Sequence, residues 1–192
     1  MKFRSVLAAA QSRKSNAQSQ RPSPPGSRRA LFAVNTVKPA SGLLLFRRNR
    51  TKAHGIEVLL AHAGGPFFAT KDAGVWGVAK SPIKEGESPL AVAKREFQNL
   101  LGSPAPTGPV RELGFVHMRS GTMISAWAIE ADFEPCSLHS NDFELEWPPG
   151  SGEMERFVEV DRVEWFDMEE ARNRMTPAQM PFLQRLLDSL TP

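Results

Sequence analysis

The chain has one cysteine, Cys136, among 192 residues. A lone thiol cannot form an internal disulfide or furnish a cysteine-rich zinc module, so neither device is expected to hold the fold. Long apolar runs are missing too. The best stretches, residues 42–46 and 58–63, fall far short of the roughly 18 residues a membrane-spanning helix needs, so no membrane crossing is expected. No Gly-x-Ser-x-Gly elbow, no Gly-x-x-x-x-Gly-Lys phosphate loop and no Rossmann glycine fingerprint occurs, which removes serine hydrolases and the common nucleotide loops from consideration. His54, His62, His117 and His139 have no metal-ligand spacing.

Acidic residues are absent from one whole region. Residues 1–56 contain 12 Lys and Arg and no Asp or Glu, a net +12, whereas the remainder carries 12 bases and all 21 acids, a net −9. The pI near 9.3 therefore reports the leading segment and is no argument for nucleic-acid binding by the domain. Residues 1–38, rich in Ser, Gln, Pro and Arg, offer too little apolar surface to offset the entropy of ordering, and read as a disordered basic tail. An Arg- and Ser-rich, acid-free leader also fits an organelle transit peptide. The expected location is cytoplasmic, or mitochondrial or plastid if the leader is such a peptide.

What remains, residues 39–192, has the composition of one globular domain. Short Leu- and Val-rich runs at 41–48 and 56–63 predict paired strands, and 75–79 a third. Gly64-Gly65-Pro66 must turn. Ser88-Pro89 predicts a helix start, Leu90, Ala93, Phe97, Leu100 and Leu101 its apolar stripe, and Gly102 its end. Strands follow at 110–119 and 123–132 around a Ser120-Gly121-Thr122 hairpin turn, and a last strand at 162–166. Residues 135–152 read as an irregular acidic stretch, and 168–175 and 177–190 as helices. Strands and helices are mixed around one core with no internal repeat, and the class is read as α/β.

The chemistry concentrates in residues 81–102, Ser-Pro-Ile-Lys-Glu-Gly-Glu-Ser-Pro-Leu-Ala-Val-Ala-Lys-Arg-Glu-Phe-Gln-Asn-Leu-Leu-Gly. This segment resembles the signature of the Nudix hydrolases, GX5EX7REUXEEXGU, with Glu87 on the loop glutamate, Arg95-Glu96-Phe97 on the REU triplet and Gly102 on the closing glycine. Further stretches resemble a small bacterial Nudix pyrophosphohydrolase subgroup: Gly42–Phe46, Gly64-Gly65-Pro66-Phe67-Phe68, Phe143-Glu144-Leu145-Glu146-Trp147-Pro148-Pro149 and Pro177-Ala178-Gln179. The resemblance covers residues 41–190 and implies an α/β/α sandwich with a central mixed sheet. It also implies hydrolysis of a nucleoside diphosphate linked to another moiety, with Mg2+ or Mn2+ and a small-molecule nucleotide pyrophosphate as partner rather than a membrane or nucleic acid.

On a helix, a Glu followed by two more at three and four residues projects three carboxylates to one place, where they bind hard divalent cations. Here the three positions read Glu96, Asn99 and Leu100, and the opening glycine is Ser81. Charge at those helix positions falls from −3 to −1, so metal binding is expected to be weak and hydrolysis impaired. The alternative is an inactive domain that binds a nucleotide or a protein. Glu96 is the candidate metal ligand or base and Glu87 a second ligand or a loop stabiliser. Arg95 is assigned to the catalytic segment as an orienting partner of Glu96 or Glu87, and Lys80 as a phosphate contact. Glu144, Glu146, Glu153, Glu155 and Glu159 are candidates to complete the site. Trp76 and Phe67 could stack on a base, although core packing is the commoner role.

Overall fold

The computed structural model describes residues 37–135 and 137–191. The basic tail read from the sequence lies outside them except for Val37 and Lys38, as does Cys136. Nine strands and three helices run in the order β1 (Lys38–Arg48), β2 (Ile56–Ala63), β3 (Trp76–Gly77), β4 (Lys80–Pro82), α1 (Pro89–Leu101), β5 (Val110–His117), β6 (Thr122–Glu130), β7 (Asp142–Glu146), β8 (Met154–Val158), β9 (Val160–Asp167), α2 (Met168–Arg174) and α3 (Met180–Leu190), with a 3-10 turn, Pro177–Gln179, leading into α3. Among the described residues no helix is long and apolar enough to cross a membrane.

Seven strands form one mixed sheet. β1 pairs in parallel with β6 along its length, Lys38 opposite Thr122 through Phe46 opposite Glu130, while every other pairing is antiparallel. The near-continuous burial of β1 and β2 reflects a sheet covered on both faces. On one side Leu44, Phe46, Val58 and Leu60 pack with Trp76, Phe166 and the apolar faces of α2 and α3. On the other, Leu43, Leu45 and Leu59 meet Ala93, Phe97, Leu100 and Leu101 of α1. The two-residue alternation of each strand thus feeds two cores, and the product is the expected α/β/α sandwich.

The departure that makes a site lies between β1 and β2. They pair only at Phe46–Arg48 against Ile56–Val58 and then splay. The wedge is filled from two sides, β3 on Ala61 and His62 of β2 and β4 on Ala40–Gly42 of β1. The single strand expected at 75–79 is therefore two short ones, because the chain must cross the wedge at Val78 and Ala79. The stretch read as irregular contains β7, which pairs with β8 just beyond it in a separate hairpin, whose cross-strand Phe143 and Phe157 rings lie 6.0 Å apart. The first helix begins and ends as predicted, but the Ser88 hydroxyl makes no capping bond; Pro89 alone supplies the start signal, and the Gly102 N–H returns to the Gln98 carbonyl.

Candidate functional site

The wedge opens into a cleft of about 750 Å³. Its floor is the strip from Trp76 to Pro82, α1 contributes Glu96, and Asn141, Phe143, Glu159 and Gln179 close the rim. Ser41 anchors α1 against the sheet, donating from its buried hydroxyl to the Pro89 carbonyl at 2.5 Å. Glu159 is positioned by the corner between β8 and β9: the Gly64 N–H donates to its carbonyl at 2.9 Å, and its own N–H donates to the Asn141 carbonyl at 2.8 Å. The Gly-Gly-Pro turn thereby carries an acid toward the helix.

Glu96 is only 5% exposed. Burial pushes its carboxyl above the usual carboxylate range, and the neighbouring Glu159 pushes in the same direction, while the Ser81 hydroxyl and the cations Arg95 and Lys80 pull back. Desolvation and a like charge both disfavour ionisation here. A buried acid and an exposed one on the wall of the same cleft, with Lys80 lining it too, form an arrangement that a cation would stabilise. The serine that stands where the signature has glycine, Ser81, lines the cleft with Glu96.

Glu87 and Arg95 are brought together elsewhere, since neither lines the cleft. Arg95 donates to Glu87 at 2.5 Å and the Lys84 N–H donates to the same carboxylate at 2.8 Å. The Arg95 bond first and the backbone bond second hold the Glu87 carboxyl down to about 2. This clamp ties the loop to α1. Lys80 does line the cleft, opposite Gly42 in the sheet register. Of the predicted residues, Glu96 and Lys80 thus share one cavity and Glu87 and Arg95 share a brace.

The substituted positions have separate fates. Asn99 is exposed. Leu100 is 3% exposed and belongs to the apolar cluster beneath α1 with Leu43, Leu59 and Phe97. The face that carries a carboxylate at 96 carries core at 100. Among the described residues, no three His, Cys, Asp or Glu side chains are grouped so as to hold a metal.

Of the five acids considered for the rim, Glu159 is the one that reaches the cleft. Glu144 lies on the exposed hairpin 3.7 Å from Arg156, and Glu146 accepts from the Gly152 N–H. Trp76 is core: fully buried, edge-on to His62 and Phe166, with its N–H on Asp72. Phe67 packs against Trp147 at 5.2 Å, and Phe68 faces the cleft instead. His62, read as unremarkable, braces the cleft wall through Asp161 at 2.6 Å and the Lys71 carbonyl at 2.8 Å. Gln179 was named only as a helix start, yet it lines the cavity.

This architecture, a mixed sheet between α1 and α2–α3 with the signature segment running from β4 into α1, is the Nudix fold. It is shared with the NUDIX domain of Shewanella oneidensis NrtR, solved with ADP ribose: TM-score 0.57 and 15% identity over 81% of this chain and 89% of that one. A Caenorhabditis elegans Ap4A hydrolase binary complex is similar at TM-score 0.52 and 18% identity, covering 80% and 98% of the two chains. A mutT/nudix family protein from Listeria innocua matches at TM-score 0.52 and 15% identity over 80% and 93%. No family model and no curated protein matches the sequence.

Proposed function

We propose that the chain is a Nudix-type pyrophosphohydrolase of a nucleoside diphosphate linked to another moiety, with slow turnover that depends on Mg2+ or Mn2+. The observation that carries this reading is that Glu96, Glu159 and Lys80 line one cleft. Solved proteins of the same fold are described with ADP ribose and as Ap4A hydrolases, ligands that share a nucleoside joined through phosphates.

Mg2+ is commonly bound through one or two carboxylates plus substrate phosphates and keeps several waters. The donors here fit one such ion completed by the substrate, not an ion held in a cage of three carboxylates. Bound there, an ion would neutralise the diphosphate and acidify a water. The chain's own residues divide the remaining work. Glu96, buried on the cleft wall, would hold the ion through its carboxylate. Glu159, the more exposed of the two, takes the proton of the attacking water. Lys80 offsets phosphate charge as a point cation. Glu87 and Arg95 fix the loop that leads into α1, with the Glu87 carboxylate already engaged.

A second reading, binding without turnover, is favoured by Leu100, which puts core where the signature has an acid. A panel of nucleotide pyrophosphates incubated with Mg2+ or Mn2+ separates the two. Release of mononucleotide by the parent that vanishes in Glu96→Gln supports hydrolysis. Saturable binding with no release supports the second reading, and no binding of any panel member overturns both.

A further inference from the structure

The cleft that holds Glu96 also holds a polar group that the proposed chemistry does not use. Gln179 is 3% exposed and lines the cavity. Its carboxamide lies against Gly77, where an added Cβ would sit 2.7 Å from Nε2 and 2.8 Å from Oε1, so only glycine leaves room for it. The Val78 N–H donates to Oε1 at 2.9 Å. That bond settles which way the amide points, because an N–H needs an acceptor and the amide has one, its oxygen. Nε2 is left with two donor hydrogens and no acceptor among the described residues. Since no fully buried side-chain nitrogen or oxygen among those residues lacks a partner, Nε2 must open onto the cleft.

The location matters as much as the orientation. Val78 stands three residues before Ser81, which lines the cleft with Glu96, and three residues of extended chain span no more than about 11 Å. The backbones that hold the amide and the carboxylate are thus near neighbours along one strip, and both side chains open onto one cavity. Phe68 and Phe143 give the same cavity apolar surface for a ring.

We infer that Gln179 is a specificity-determining residue: with the phosphates of a nucleoside diphosphate toward Lys80 and Glu96, its Nε2 donates to the base and selects an oxo group over an exocyclic amine. A base with an amine at that place sets donor against donor, which leaves both without a partner in a partly dehydrated site. The preferred class is a nucleoside diphosphate of hypoxanthine, guanine or uracil. The inference rests on the nucleotide reading above.

The test titrates the full chain, in Mg2+, with inosine 5′-diphosphate and adenosine 5′-diphosphate, whose bases differ chiefly in an oxo against an amino group, and follows heat of binding. The parent is expected to bind the inosine compound about 10-fold more tightly, the discrimination of one good base contact. Gln179→Leu removes the donor and should bring the two within about twofold. Gln179→Glu at pH 8 keeps an acceptor for Val78 and replaces the donor with an acceptor, so the preference should collapse or reverse. Affinity for inorganic pyrophosphate reads the charged end alone and should hold in both variants. Equal affinities in the parent, or a preference that survives in both variants, overturn the inference and leave the nucleotide reading standing. Failure of the parent to bind either nucleotide overturns both.

Discussion

Two successive turns of α1 meet opposite surroundings. At Glu96 the helix faces a cleft with a second acid, a hydroxyl and a lysine; one turn on, Leu100 is sealed among Leu43, Leu59 and Phe97. A three-carboxylate face asks for all of its members to be hydrated or metal-bound, because an unpaired buried charge costs several kcal/mol. Here the polar environment stops after the first member. Of the three signature positions, Glu96 faces the cleft, Asn99 lies exposed, and Leu100 has joined the core.

The largest expected effect comes from removing the polar member. Glu96→Gln should lower Mg2+-dependent turnover by about 1000-fold, the middle of the range for a single acid–base role, while thermal melting shows the fold intact. The mirror change restores an acid to the apolar turn. Leu100→Glu should destabilise the protein by about 3 kcal/mol, the scale set by burying an unpaired charge and losing Leu packing, whereas Asn99→Glu on the exposed side should stay within about 0.5 kcal/mol; chemical denaturation measures both. Equal costs at the two positions would erase the contrast between the turns. Glu159→Gln should cost about 100-fold in turnover with pyrophosphate affinity slightly raised, since a negative charge leaves the rim.

The smallest effect sharpens a different contrast, between Glu96 and the clamped Glu87. A carboxyl held below its unfolded value stabilises the fold above that value and loses the contribution as pH falls through the folded one. For Glu87 the window runs from the ordinary 4.5 down to about 2. Glu87→Gln should therefore lower the melting temperature slightly at pH 7 and leave it unchanged at pH 2. The pair is solvent-exposed, so added salt should shrink the difference at pH 7.

Much of this was legible in the residues. The spacing from Glu87 to Gly102 and the Pro-started helix between them located the chemistry, and the two apolar runs before it located the central strands. The split of the third strand was hidden, because it follows from β1 and β2 diverging, a tertiary event that leaves no local mark on residues 75–82. The β7–β8 hairpin had a signal in the alternation Phe143-Glu144-Leu145-Glu146, but the acidic content and Trp147-Pro148-Pro149 pointed to a loop, and cross-strand aromatic packing decided the matter. Glu159 stood as one of five equivalent acids until the Gly64 contact singled it out. Gln179 carried no chemical signal: its role depends on an N–H of Val78, 101 positions away in the chain.

The most direct test of the proposed site counts metal. Mn2+ binding followed by electron paramagnetic resonance, with and without a non-hydrolysable nucleoside diphosphate, should show no ion held at about 1 mM by the protein alone, since the donors are too few without phosphates, and one ion per chain once the nucleotide is present. Tight binding of two or more ions by the protein alone would contradict the account.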